Sequence, residues 1–202
     1  MRLISSLLAA GAASAALLLC GGAAAASDKT AVSPNGRWRA AVDNAGADAD
    51  PTSGPASVLR IEPVGGGLGR VLIRGQETAP QNPKGAFHSF EHPVWSLDGG
   101  FVYLDVSAWA TSPAVHRVSV KTGAERFIID GGVQGVIRAG PYRGMLLVGR
   151  HKYHPAPQFG SYDPVDVVRP DGKVILTVPG SETDEGEPSV AHWLKVHGWT
   201  AN

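Results

Sequence analysis

Cysteine occurs once in this chain, as Cys20, inside an apolar leader. A mature domain without it has no disulfide, no thiol nucleophile and no thiolate metal ligand, so its stability must come from packing. An excess of one charge is missing too: 18 Lys and Arg face 18 Asp and Glu, a formal net charge of +0. Such a balance is not shaped for nucleic acid or an anionic membrane surface. Nucleophile signatures fail in turn, since G-x-S-x-G does not occur and S-x-x-K lacks its usual companions. The crowded glycines of VGGGLGR at 64–70 sit between two strands, with no helix N-terminus to hold a pyrophosphate. These absences point away from an enzyme without excluding one.

What is present begins with MRLISSLLAAGAASAALLLCGGAAAASDKT. A positive start at Arg2, an Ala/Leu-rich run to about Leu19 and small residues before Ser27 form the three-part pattern of a secretory signal. Ala24-Ala25-Ala26 supplies the small side chains that cleavage needs, so the mature chain is expected to start at Ser27 and to act in the periplasm or outside the cell. Two other readings of the segment stand beside this one. An uncleaved anchor requires roughly 20 apolar residues, and the Ala/Gly content here makes the run weakly apolar. Lipid attachment at Cys20 would usually want a small residue before the cysteine, where this chain has Leu19. Taking residues 1–26 from 202 leaves 176, a single-domain length, and removes Arg2, so 17 basic groups remain against 18 acidic ones. No further membrane span is expected in 27–202.

The mature part reads as all-β: short Val/Ile/Leu/aromatic runs, bounded by Gly, Pro, Asn and Asp, recur from end to end. The pattern predicts strands at 37–42, 57–62, 70–74, 101–107, 114–120, 125–129, 133–138, 145–151, 164–169 and 174–178. Asn35-Gly36, Asp98-Gly99 and Asp171-Gly172 predict two-residue primed hairpin turns, and Thr122-Gly123 closes another hairpin. The stretches 43–56 and 75–92, poor in β formers, are expected to be long loops, where binding usually resides. One helix is expected over 188–197, where Val190, Trp193, Leu194 and His197 follow helical spacing, Pro188 suits the first turn and Gly198 the stop.

An internal repeat organises these strands. AVSPNGRWRAAVD at 31–43 and PVWSLDGGFVYLDV at 93–106 each place Ser, one residue, Asn or Asp, and Gly ahead of a strand. A glycine marking the last hairpin recurs at Gly69, Gly123 and Gly172, a period of about 50 residues that falls in the range of propeller blades. The units run about 31–75, 93–131 and 132–180. HPVWSLDGGFVYLDVSAWATSPAVHRVSVKTGAERFI resembles one blade of the TolB-type (WD40-like) β-propeller repeat, in which W-S-P-D-G, an apolar strand, a loop, a second apolar strand and T-G follow in order. Leu97 stands where that repeat usually has Pro. The likeness is closest over 93–131, fair over 31–74 and poor over 132–179. It implies antiparallel four-stranded blade-like sheets in a partial propeller and, by analogy, a periplasmic binding or scaffolding habit. Closed propellers need four to eight blades, so three must form an open wedge, pair with a second chain to complete a ring, or pack as a sandwich or distorted barrel. The C-terminal helix could cap an open end.

Candidate chemistry rests on side chains in loops and at strand ends. His88 and His92 lie four apart in FHSFEH, and His151 and His154 three apart in RHKYH; with Glu91 as base or further ligand they form a candidate zinc set. The competing reading is ordinary surface or packing histidines, because i, i+3 spacing on strands does not bring side chains together. The acidic groups Asp43, Asp48 and Asp50, and Glu182, Asp184, Glu185 and Glu187, lack the order of a calcium loop. Among the aromatics, Trp38 and Trp95 occupy equivalent repeat positions and are expected in the core, whereas Trp109, Tyr153, Phe159 and Tyr162 could line one binding face. The reading that follows is an exported, non-enzymatic protein, without cofactor, that binds a protein or cell-envelope component through loops or an exposed sheet edge. The alternative is a metal-binding protein or metal-dependent hydrolase built on the histidines, and a homodimer completing one ring is a third arrangement.

The leader reading has a direct check. Intact-mass measurement of the exported product is expected to place its first residue at Ser27; a product retaining residues 1–26, or one acylated at Cys20, would replace it.

Overall fold

The structure, a computed structural model, describes residues 29–44, 57–76, 88–108, 112–157, 159–183 and 186–202. The leader with Cys20, most of the loops expected at 43–56 and 75–92, and Trp109 lie outside the described residues.

Three four-stranded antiparallel sheets follow one another along the chain, each a meander of neighbouring strands. Blade 1 holds β1 (Thr30–Val32), β2 (Trp38–Asp43), β3 (Val58–Pro63) and β4 (Arg70–Arg74). Blade 2 holds β5 (Phe90–Trp95), β6 (Phe101–Ser107), β7 (Pro113–Ser119) and β8 (Glu125–Asp130). Blade 3 is built from β9 (Gly132–Val136), β10 (Leu146–Gly149), β13 (Val165–Val168) and β14 (Val174–Thr177). A two-stranded hairpin, β11 (Lys152–Tyr153) and β12 (Ser161–Tyr162), is inserted between β10 and β13. The chain ends with α1 (Gly186–Val196), close to the helix expected at 188–197. All ten predicted strands are present.

Two strands that open blades are not among those ten. β5 begins at Phe90, inside the segment expected to be loop, because the polar pair Glu91 and His92 hides the strand pattern. The three-residue β1 is too short for a periodicity signal, although the repeat places a strand ahead of each S-x-[ND]-G turn.

Those turns also differ from expectation. Asn35, Asp98 and Asp171 keep negative φ, so none of the hairpins closes through the two-residue primed turn. Ser33 and Ser96 instead open four-residue loops in which Gly36 and Gly99 donate back to the serine carbonyl at 2.9 Å. Each serine hydroxyl then donates to the Asn35 or Asp98 side chain, and accepts the N–H of Trp38 or Phe101. Only the glycine takes the left-handed region, at φ 69° in both loops. The position after the serine keeps ordinary negative φ, which is why Leu97 serves as well as Pro34.

Packing joins the blades face to face. Ala40, Val42, Leu59 and Ile61 of blade 1 meet Phe90, Trp95, Val102, Leu104 and Val106 of blade 2 in one core. Tyr103, Val115 and Ile129 on the other face of blade 2 meet Val133, Val136, Leu146 and Val148 of blade 3 in a second. β6, covered from both sides, is therefore apolar on both faces. Trp95 is buried as expected, its Nε1–H donating to the Ala31 carbonyl at 3.0 Å; Trp38 is 43% exposed, contrary to the core position expected for it.

Among the described residues no fourth blade covers blade 3. Val190 and Trp193 of α1 pack with Ile137, Leu147, Val165 and Val167 in a third core, occupying the place of a following blade. Helix and blade are fastened by the chain end: Gly198 (φ 65°) stops α1, its N–H donating to the Lys195 carbonyl and the Trp199 N–H to the Leu194 carbonyl. Residues beyond it run beside β9, where Arg138 donates to the Thr200 carbonyl at 2.7 Å. At the opposite end, alternation along β2 and β3 turns Arg39, Asp43, Arg60 and Glu62 away from the core, so blade 1 presents a charged outer face.

Glycine sets how closely the blades approach. A Cβ on Gly123 would stand 2.6 Å from the Leu72 carbonyl oxygen of blade 1, and one on Gly172 2.4 Å from the Ile128 oxygen of blade 2. Gly36 shares the positive φ but faces open space. Chemical denaturation should accordingly show Gly36→Ala losing about 1 kcal/mol, and Gly123→Ala or Gly172→Ala about 2–4 kcal/mol, the extra cost being overpacking between blades. Equal losses at all three sites would show that the carbonyl approach contributes nothing.

Candidate functional site

Opposite the S-x-[ND]-G turns, where β5 and β9 begin and β6 and β10 end, the incomplete ring opens into a cavity of about 730 Å³. Blade 2 contributes His92 and Asp105, and blade 3 contributes Gly132, Gln134, His151 and Asp163. Val190 and Leu194 of α1 close the side that a fourth blade would occupy. The wall thus mixes apolar side chains, among them Leu147, Val190 and Leu194, with the polar groups of His92, Asp105, Gln134, His151 and Asp163.

His92 reaches the cavity through a distortion of β5. The register of β5 on β6 shifts between Glu91 and Val94, and His92 sits at φ 45°, the one described non-glycine residue with positive φ. That conformation costs a residue with a Cβ roughly 1 kcal/mol or more, and such strain gathers at functional sites. The ring is held by Asp105: Nδ1–H donates to Oδ2 at 2.9 Å, while the second carboxylate oxygen accepts the Val133 N–H at 2.7 Å. The Asp105 side chain is 6% exposed and the His92 side chain 46% exposed, so a buried carboxylate orients an imidazole that faces solvent. Burial raises the Asp105 pKa, opposed by the bonds from His92 and Val133.

A second imidazole–carboxylate pair stands on the same wall. His151 Nδ1 donates to Asp163 Oδ1 at 2.8 Å, with the histidine 18% and the aspartate 73% exposed. With Nδ1–H given to a carboxylate, the other nitrogen of an imidazole, Nε2, is the acceptor side of the neutral ring. His151 and Asp163 also flank the β11–β12 hairpin. The Tyr153 ring packs edge-on to His151 at 4.9 Å, and Tyr162 stacks on His154 at 4.6 Å. Tyr153 is 68% and Phe159 94% exposed, so the hairpin is an aromatic arm beside the cavity mouth.

Of the histidines in the candidate zinc set, His92 and His151 share this cavity, and His88 and His154 do not line it. His88 is buried, with Nδ1 beside the Ser89 hydroxyl at 3.3 Å. Among the described residues no group of three or more His, Cys, Asp or Glu side chains is placed to hold a metal ion. Glu91 lies exposed on β5. Of the aromatic set, Tyr153, Phe159 and Tyr162 come together on the one arm. Asp105 escaped the sequence reading, although a carboxylate in the apolar run FVYLDVS is itself a signal of a paired buried charge.

No protein-family profile matches this chain, and no curated protein matches it in sequence. Among solved structures it is similar to a protein of Agrobacterium tumefaciens provisionally assigned as TolB, with 14% identity, a TM-score of 0.30 and 75% of this chain covered. The similarity spans 65% of that protein's length, less than two thirds.

The Asp105 environment has a pH signature. Its native pKa lies above the 3.8 of an unperturbed aspartate, so between those values the folded state keeps a proton that the unfolded chain has lost. Stability contributed by this group therefore falls as pH rises through that window. Urea unfolding of Asp105→Asn between about pH 4 and pH 7 should show a flatter pH dependence than the wild type; superimposable profiles would mean that burial leaves the carboxyl unperturbed.

Proposed function

We propose that this chain is an exported, non-enzymatic binding protein that holds a partner protein or cell-envelope component at the cavity beside the β11–β12 arm. One observation carries the reading: exposed Tyr153 and Phe159 stand next to a cavity whose polar groups, His92 with Asp105 and His151 with Asp163, are already oriented. Exposed aromatics at the rim of a pocket supply contact area at low entropic cost, which makes them frequent anchors of protein recognition. Periplasmic or extracellular action rests on the leader alone.

Metal-dependent hydrolysis has less support, because a catalytic zinc typically takes three protein ligands and, of the four candidate histidines, His92 and His151 alone line the cavity. A six-bladed ring of two chains is likewise disfavoured. Docking would have to displace α1 from blade 3 and desolvate the charged face of blade 1, so the monomer is the expected species.

The test places a photo-crosslinking residue at Phe159 in cells that export the protein. A discrete adduct with one envelope component is expected, and its yield should fall at least about tenfold with Tyr153→Ala, an interface loss of about 1.4 kcal/mol. Diffuse labelling that Tyr153→Ala leaves unchanged, in a variant whose circular dichroism matches the wild type, would overturn the reading.

A further inference from the structure

The opposite rim, formed by the S-x-[ND]-G turns and the later hairpins, carries an arrangement that the cavity does not use. Each junction between blades opens there as a small cleft. The first, of about 330 Å³, is lined by Trp38, Ile61 and Arg70 of blade 1 and by Val120 and Lys121 of blade 2. The second, of about 280 Å³, is lined by Leu97, Asp98, Phe101, Tyr103 and Arg117 of blade 2 and by Arg143 and Pro170 of blade 3.

The two clefts are copies of one design. Trp38 and Phe101 are each the first residue of a blade's second strand, and each donates its N–H to the serine hydroxyl that opens the preceding turn, at 3.0 and 2.9 Å. The same turn thereby delivers an aromatic ring to the same side of two successive junctions. Cations flank each ring: Arg70 bridges the first junction by donating to the Val120 carbonyl, and the Arg117 guanidinium lies 4.5 Å over the Phe101 ring.

Charge on this rim is one-sided. Its connections carry Arg37, Lys121, Arg138, Arg143, Arg169 and Lys173 against Asp98 and Asp171, and the strand ends beside them add Arg70, Arg117 and Arg126 against Glu62 and Glu125. The two carboxylates of the connections are engaged locally. Asp98 accepts from the Ser96 hydroxyl and the Gly100 N–H, and Asp171 pairs with Arg169 at 2.9 Å. In a chain with 18 basic and 18 acidic residues, such an excess belongs to the rim and not to the composition.

We propose that this rim binds an extended acidic polypeptide segment, whose apolar side chains enter the two clefts and whose carboxylates meet Arg70, Lys121, Arg117 and Arg143. The apolar walls decide among anions: Ile61, Val120, Leu97 and Pro170 offer nothing to a phosphate or sulfated sugar, but match the aliphatic side chains of a peptide. Charge complementarity adds rate and orientation, and is weakened by salt.

The probe is a synthetic peptide of alternating Glu and Leu, titrated against the full mature protein with Trp fluorescence and calorimetry as readouts. Saturable binding is expected, weakened at least tenfold by Trp38→Ala and by Lys121→Glu, and weakened again at high salt. Tyr153→Ala should leave it unchanged, which separates this rim from the cavity and its arm. Equal affinity for a Gln/Leu peptide would remove the role of charge, and equal affinity for polyglutamate, heparin or anionic vesicles would remove that of the clefts. Either result, or wild-type affinity in both rim variants with unchanged circular dichroism, overturns the proposal.

Discussion

A four-stranded blade has two faces, and each must be buried against something apolar or be made polar. In a closed ring every blade covers the next, so the problem solves itself. Three blades leave two faces over, and this chain treats them differently. Arg39, Asp43, Arg60 and Glu62 make the first outer face compatible with water, while α1 covers the last with Val190 and Trp193. Terminal repeats of stacked architectures need such caps to remain soluble. One sheet edge is covered as well: residues 200–202 run beside the end of β9, with Ala201 bridged to Ile137.

The same constraint creates the candidate site. The starts of β5 and β9 border the cavity between blades 2 and 3, and α1 forms its outer wall. The polar groups there have structural origins as well: Asp105 binds the Val133 N–H and so ties blade 2 to the first strand of blade 3. Asn44 does the corresponding work one blade earlier, donating to the Phe90 carbonyl at 3.0 Å. At the first junction the amide is wholly occupied by structure. At the second, a β-bulge turns His92 onto the carboxylate, and a structural tie is extended to a ring facing the cavity.

Most of the strands were legible because a blade is a local object. Its alternation and its last-hairpin glycine, and in blades 1 and 2 the S-x-[ND]-G turn, are written within about 50 consecutive residues. The turn geometry was not legible, since Asn-Gly and Asp-Gly serve primed turns and these longer serine-anchored loops alike, and only the hydrogen bonds distinguish them. β5 was hidden because Glu91 and His92 break the apolar alternation where the strand bulges. Trp38 was assigned to the core by analogy with Trp95, although it lies past the turn and Trp95 before it, so the two side chains meet different surroundings.

Local pattern in the sequence determined by itself an all-β chain of three blade-like units and a short terminal helix, because each is specified by residues close together along the chain. The meeting of His92 with His151, the burial of Asp105, the capping role of α1 and the twin clefts were decided only in three dimensions. They arise between blades, from residues separated by tens of positions. Their relative placement depends on how closely Gly123 and Gly172 let neighbouring sheets approach, a distance that no run of sequence encodes.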